Sequence, residues 1–367
     1  MHVWTIATRN LLGERGRLLI TVGGVAFSVI LILVLVGLYQ GWKAQMTRFL
    51  GSLDADIWVG QQGSRDMSHA ISLLPSAVGS QLSAISGVQS VTPFLGRQVN
   101  FTTKKGETIV MLAGIDAVSP IRPYAMVEGS SVPGPGEIIV DKVFAQDQDL
   151  RRGDQLTING KTLTISGIAS GGHILIYAYA FGAMEDVRSI LNLTNITNYF
   201  LVKTDDPAAT KSAIEDALPN VFVRDRQTFL DDNAAIVSET FLPIIGVLVL
   251  IALAIGTAVI GLTIYTATVE KRREYSVLKA IGYTNSQLFR IALGQSLVAG
   301  IIGFVVGNIL IIGVVWLAQS AVAGFQYEVG WKEIAAVGVV TLAMATLAAL
   351  IPLRRLVTID PAEVFKA

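Results

Sequence analysis

The sequence predicts a membrane α-helical protein with four transmembrane helices and an α+β extracytoplasmic domain, a duplicated β-α-β unit plus a β-rich insertion. Three observations predict it. Of 367 residues, 52% are hydrophobic and only 15% charged, where soluble proteins carry about 25% charged residues. Apolar tracts of membrane length recur near the N-terminus and after residue 240. Between them, in residues 43–239, charges, prolines and short alternating runs return. The formal net charge of zero lacks the basic footprint of a nucleic-acid binder. With no cysteine, disulfides, thiolate metal sites and a catalytic thiol are excluded. Histidines at 2, 69 and 173 are too scattered to ligate a metal.

The first element, residues 1–17, reads as an amphipathic cytoplasmic helix. Val3, Trp4, Ala7 and Leu11 keep helical spacing, with Trp4 placed at headgroup level. Residues 18–42 form the first span. Leu18 to Trp42 is 25 uncharged residues, longer than the 7–15 of a signal-peptide core, so an uncleaved anchor is expected. Gly23, Gly24, Ala26 and Ser28 offer a packing face or simply the glycine content usual in membrane helices.

The domain 43–239 begins with a strand at Asp56–Gly60. A helix at Leu74–Ile85 follows, with Pro75 at its start, then a strand at Val88–Phe94. The order recurs as a strand at Tyr199–Thr204, a helix at Pro207–Leu218 capped by Asp205 or Asp206, and a strand at Val221–Arg224. The two halves, 43–100 and 193–239, thus read as a duplicated β-α-β unit. The segment between, 101–192, is mostly β. Its clearest signal is the alternation of Thr157–Ile165 around Asn159-Gly160, a hairpin signature.

Residues 240–269 form the second span, 270–290 a charged cytoplasmic segment and 291–319 the third span. An external loop at 320–333, a fourth span at 334–353 and a cytoplasmic tail at 354–367 complete the chain. Arg9, Arg15, Arg17, Lys271, Arg272, Arg273, Lys279, Arg290, Arg354, Arg355 and Lys366 fall on one side, against Lys332 alone in the short opposite loop. The positive-inside rule then places both termini and the charged segment in the cytoplasm and the large domain outside.

No active site is legible, so a non-enzyme is expected. Gly160-Lys161-Thr162 resembles the tail of a phosphate loop, but the required earlier glycine is Gln155. Paired acids such as Asp231-Asp232 sit in cap or turn contexts. The spans lack the buried acids of ion-coupled transporters and the polar lining of channels. Energy must therefore enter from outside the chain, and Glu270–Gly282 is the place for it. Glu270 can pair with Arg273 at i,i+3. Lys271, Arg272, Arg273 and Lys279 can reach lipid headgroups or acids of a partner. Val277, Leu278 and Ile281 can fill a partner's groove. Gly282 ends the helix. A bare topology marker would need only Lys and Arg; mixed acids, bases and apolar residues fit a coupling helix better.

This layout resembles the permease subunits of the MacB/FtsX/LolC superfamily of ABC transporters. Their charged run, Glu-(Arg/Lys)-x-(Arg/Lys)-Glu-(Ile/Phe)-(Ala/Gly)-(Val/Thr)-Leu-(Arg/Lys)-Ala-(Ile/Leu)-Gly, is nearly matched by Glu270-Lys271-Arg272-Arg273-Glu274-Tyr275-Ser276-Val277-Leu278-Lys279-Ala280-Ile281-Gly282. Tyr275 and Ser276 depart mildly. The C-terminal signature matches Pro361-Ala362-Glu363-Val364-Phe365. The Asp54–Gly60 opening is similar to DevC-like and HrtB-like exporter branches. The resemblance implies a porter-like fold for the two β-α-β halves and a sabre-like one for the insertion. It also implies residence in the bacterial cytoplasmic (inner) membrane. Expected partners are the bilayer, a separate ABC ATPase dimer that holds ATP and magnesium, a second copy of this chain or a close paralogue, and a periplasmic adaptor. This chain itself is expected to carry no cofactor. The implied mechanism is mechanotransmission that exports a hydrophobic or amphiphilic substrate. Lipoprotein or lipid release, and FtsX-like regulation of a cell-wall hydrolase, are the alternatives.

Overall fold

A computed structural model describes residues 15–67, 71–103, 105–174, 177–322 and 324–352. The amphipathic helix expected at 1–17 lies outside them, except that residues 15–17 belong to the first long helix. The chain divides into two compact units. One is helical and draws on residues up to Gln40, Phe241–Ala321 and those from Tyr327 on; the other is α+β and comprises Gly41–Thr240 with Val322–Gln326.

Helix α1 (Arg15–Ser52) has 38 residues, about 57 Å at 1.5 Å per residue. The α+β unit follows with β1 (Ile57–Gln61), β2 (Leu74–Pro75), α2 (Ala77–Ser83) and β3 (Val88–Phe94). Then come β4 (Gly96–Thr103), β5 (Gly106–Ile115), β6 (Ala125–Gly129), β7 (Glu137–Asp141), α3 (Lys142–Asp147), β8 (Gln155–Ile158), β9 (Lys161–Ser170), β10 (His173–Ile174) and β11 (Tyr177–Ala183). The unit closes with α4 (Met184–Leu191), β12 (Ile196–Thr197), β13 (Tyr199–Thr204), α5 (Pro207–Ala217) and β14 (Val221–Asp225).

A four-stranded sheet has the order β14-β1-β13-β3, antiparallel throughout. Period-two alternation gives it two buried faces. Ile57, Val59, Phe200, Val202 and Val223 pack with Leu82 of α2 and Ile214 of α5. Trp58 and Tyr199 point the other way, into a ring cluster with Phe229. The cap of α5 is Asp206, whose carboxylate accepts from Ala209 N at 3.0 Å. The helix expected over Leu74–Ile85 is shorter than the sequence suggests. Ser76 N donates to Asn195 O, and Leu74-Pro75 pairs with Ile196-Thr197. That ladder draws the first residues into a strand.

The intervening segment carries the larger sheet. β11, β5, β4, β8, β9 and β7 pair in a closed ring, with β10 on β11 and β6 on β9. Closure leaves those six strands no unpaired edge, and Phe101, Leu112, Ile138, Val140, Leu156, Leu163 and Ala180 fill the inside. Asn159 (φ 46°) and Gly160 (φ 81°) join β8 to β9. Two positive φ values match the right-handed twist of the flanking strands.

The last elements are α6 (Arg226–Glu270), α7 (Arg272–Ala280), α8 (Asn285–Ala321) and α9 (Trp331–Ala349). Among the described residues, four helices, α1, α6, α8 and α9, are long and apolar enough to cross a membrane. The first three uncharged tracts lie inside helices that start earlier and run on further, while the fourth helix starts earlier, at Trp331, and ends short of the expected 353, at Ala349. Inside the helical unit small residues set the spacing. A Cβ on Gly303 would lie 2.5 Å from Val25 Cβ, and one on Gly307 2.8 Å from Val29 Cγ1. Buried hydroxyls of Thr21, Thr268, Ser296 and Thr341 bond the carbonyl four residues back. That satisfies them without water.

Candidate functional site

The charged segment folds as a short helix with a one-residue break before it and two caps after it. Glu270 ends α6, and Lys271 leaves helical geometry at φ −90°, ψ 21° before α7 begins. Glu274 in the first turn and Lys279 in the last each complement the helix dipole. At the far end Gly282 takes φ 98°. Gly282 N donates to Lys279 O, and Tyr283 N to Leu278 O, both at 3.0 Å. These two bonds are the Schellman closure, which needs a left-handed residue at this point. The next helix starts at once: Thr284 N donates to Gln287 Oε1 at 2.8 Å, and Gln287 N to Thr284 Oγ1 at 3.4 Å. This reciprocal capping box fixes where α8 leaves the turn.

α7 has two faces. Tyr275 and Ser276 are buried, at 3% and 0% exposure, and Tyr275 joins the core of the helical unit with Leu278 and Tyr283 packed against it. Ser276 Oγ donates to Arg272 O at 3.0 Å. The other face holds Arg272, Arg273, Glu274, Val277, Ala280 and Ile281. Val277 is 44% exposed and Ile281 68%, large for apolar side chains.

The sequence grouped Leu278 with Val277 and Ile281; the structure separates them. Positions 274, 277 and 281 form the outer stripe, and 275 and 278 the inner one, as spacings of three and four require. Tyr275 and Ser276, the two mild departures from the family's charged run, are the anchors. The 275/278 spacing beside 277/281 was the available signal. Glu270 also finds a different partner. Its carboxylate accepts from the Arg17 guanidinium at the start of α1, not from Arg273. Pro361, Ala362 and Glu363 lie outside the described residues.

Elsewhere the chemistry is structural. Lys161 pairs with Asp186 at 2.7 Å, which accounts for the phosphate-loop-like stretch. Asp141 caps α3, accepting from Val143 N at 2.8 Å and from Gly172 N at 3.1 Å. Burial raises its pKa against those bonds. His173 lies with Nδ1 3.4 Å from Gln45 Nε2, and burial lowers its pKa. Among the described residues no three His, Asp or Glu side chains are grouped to hold a metal.

Residues 18–219 match the family described as MacB-like periplasmic core domain, and residues 246–361 the one described as FtsX-like permease C-terminal. The chain belongs to the MacB/FtsX family of ABC transporter permeases. An uncharacterized ABC transporter permease of Mycobacterium tuberculosis is 25% identical over 370 residues, with 98% of each chain covered. The macrolide export ATP-binding/permease protein MacB of Sodalis glossinidius is 22% identical over 392 residues, covering 98% of this chain and 59% of that one. The periplasmic region of MacB from Actinobacillus actinomycetemcomitans superposes with a TM-score of 0.37 at 15% identity, over 50% of this chain and 92% of that one. This permease is thus a multi-pass membrane protein of the ABC transporter class. Its charged segment lies within the FtsX-like match.

Proposed function

We propose that this permease couples ATP hydrolysis by a separate ATPase to motion of its α+β unit and so extrudes a hydrophobic or amphiphilic substrate. One observation carries the reading. α7 is anchored by Tyr275, Ser276 and Leu278 while Glu274, Val277 and Ile281 stand exposed on one stripe. A rigidly seated helix with an apolar-and-charged outer face is built to take a push from a docked partner.

Other parts rest on supporting features. A separate ATPase is supported by the mycobacterial permease, which this chain matches over 98% of its length. The substrate class is supported by a relative named for macrolide export. Lysine and arginine placement supports a cytoplasmic α7, with both termini on the same side and the α+β unit outside. The residence is then the bacterial cytoplasmic membrane. The β1-α2-β3 and β13-α5-β14 segments supply all four strands of one sheet, which supports their origin as a duplicated unit. A second copy supplies the wall that four helices lack, and an adaptor would dock outside.

The test is co-expression with the ATPase. Val277→Asp with Ile281→Asp should cut ATPase co-purification by about tenfold or more, the effect of losing an apolar anchor pair. Leu278→Ala should act mainly on stability. Unchanged co-purification and unchanged stimulation of hydrolysis in the double variant would refute the docking role.

A further inference from the structure

The Arg17–Glu270 pair stands at the end of a seam between α1 and α6. Arg17, Gly24 and Ser28 are spaced seven and four apart, so they share one face of α1. Gly256, Val259 and Glu270 are three and eleven apart, and eleven residues make about three turns. A Cβ on Gly24 would lie 2.4 Å from Val259 Cγ1, and one on Gly256 2.9 Å from Ser28 Oγ. The helices therefore touch backbone to side chain along this line, and the ion pair closes it beside the first residue of α7. Arg17 keeps only 20% side-chain exposure and Glu270 64%. Arginine is held, and glutamate reaches to it.

We propose that Glu270 is a positioning residue that clasps the root of α7 to α1 through Arg17, rather than a contact to the ATPase. The role rests on the coupling function proposed above. Lys271 N donates to Ala267 O and Tyr275 N to Lys271 O, so helical bonds bridge the break and a push on α7 passes first to the end of α6. With the clasp closed the same push reaches α1, and both long helices, which continue into residues of the α+β unit, move together. With it open, α6 moves alone.

The chain has no cysteine, so spin labels placed by Leu19→Cys on α1 and Leu262→Cys on α6, both exposed to label, report the seam cleanly. The experiment compares Arg17→Glu, Glu270→Arg and the double swap, each reconstituted with the ATPase in vesicles. Each single reversal should broaden the inter-label distance and lower substrate moved per ATP by about 2–5-fold, the range set by one partly exposed ion pair. ATPase co-purification should stay intact, and the swap should restore both readouts. If Glu270→Arg abolishes co-purification and the swap does not restore it, Glu270 contacts the partner and the clasp is wrong. Unchanged distances and coupling in the single variants overturn it equally. If the unmodified permease recruits no ATPase, the coupling function falls, while the label distances still decide the clasp.

Discussion

In the α+β unit Trp58 stacks on Phe229 with ring centroids 4.3 Å apart, and Phe49 lies 4.5 Å from Tyr179. In the helical unit the described close approaches are made at glycines, with Gly261 against Ile351, Gly37 against Tyr327, Gly24 against Val259 and Gly303 against Val25. The solvent explains the contrast. Water rewards burial of large apolar area, so the α+β unit gathers rings where its strands meet its own stretches of α1 and α6. Lipid gives no such reward between helices. There stability comes from close van der Waals approach, which a missing side chain permits. The harmful change should therefore be large-to-small in one unit and small-to-large in the other.

The largest effect tests the ring cluster. Trp58→Ala or Phe229→Ala should cost about 3–5 kcal/mol, the loss of a large buried aromatic plus its cavity. Thermal unfolding of the full chain in detergent, with hydrogen exchange at β1, would read it. The indole N–H of Trp58 is buried without a partner. Trp58→Phe therefore sacrifices no hydrogen bond and should recover most of the loss. A Trp58→Phe variant as unstable as Trp58→Ala would show that ring area is not what holds the cluster.

The next effect tests the glycine seams. Gly303→Val or Gly24→Val forces a side chain into Val25 or Val259. Overpacking of this kind costs about 1–3 kcal/mol, read as a lower thermal midpoint in detergent. Both helices would have to separate, so Gly24→Val should also loosen the Arg17–Glu270 pair.

A smaller effect belongs to pH. Burial lowers the pKa of His173, with Asp141 and Asp147 opposing. The folded state thus binds its proton less readily than the unfolded chain. Its stability contribution is complete above about pH 6.5, the ordinary histidine value. It is lost as pH falls through that value toward the lowered folded one. Asp141, raised by burial, acts with opposite sign, losing stability as pH rises from the usual carboxylate range. The midpoint measured between pH 5 and 7 should drop on the acid side, and His173→Gln should flatten that drop.

Local signals were legible where one residue type forces one geometry. Asn159-Gly160 gave the hairpin, Pro207 and Asp206 the start of α5, and uncharged tracts the long helices. The charged run gave the family because its pattern is dense. What the sequence hid depends on contacts distant along the chain. Ring closure needs β7 to pair with both β9 and β11, which no local periodicity encodes. Leu74-Pro75 was lost to a strand by a partner some 120 residues away. The inward turn of Leu278, and the capture of Glu270 by Arg17, follow from the helical unit and not from the run itself. The small residues of the first span divide between the two readings, packing face and ordinary glycine content. Gly24 and Ser28 meet α6, while Gly23 meets nothing within 4 Å.

The smallest effect separates seam glycines from the rest. A Cβ on Gly246 or Gly313 would meet nothing within 4 Å, and both are exposed within one chain. Alanine is the better helix former by up to about 1 kcal/mol, so Gly246→Ala and Gly313→Ala should leave the midpoint unchanged or raise it slightly. The same change at Gly24 should lower it. One substitution would then take opposite signs in one helical unit, decided only by what the new methyl meets. A lowered midpoint at Gly246 would be equally informative. It would mean that this exposed stripe of α6 is covered by another chain, and a second copy of the permease is the occupant the proposed assembly supplies. Repeating the measurement across protein concentration would tell the two apart, because only a covered face makes the cost depend on association.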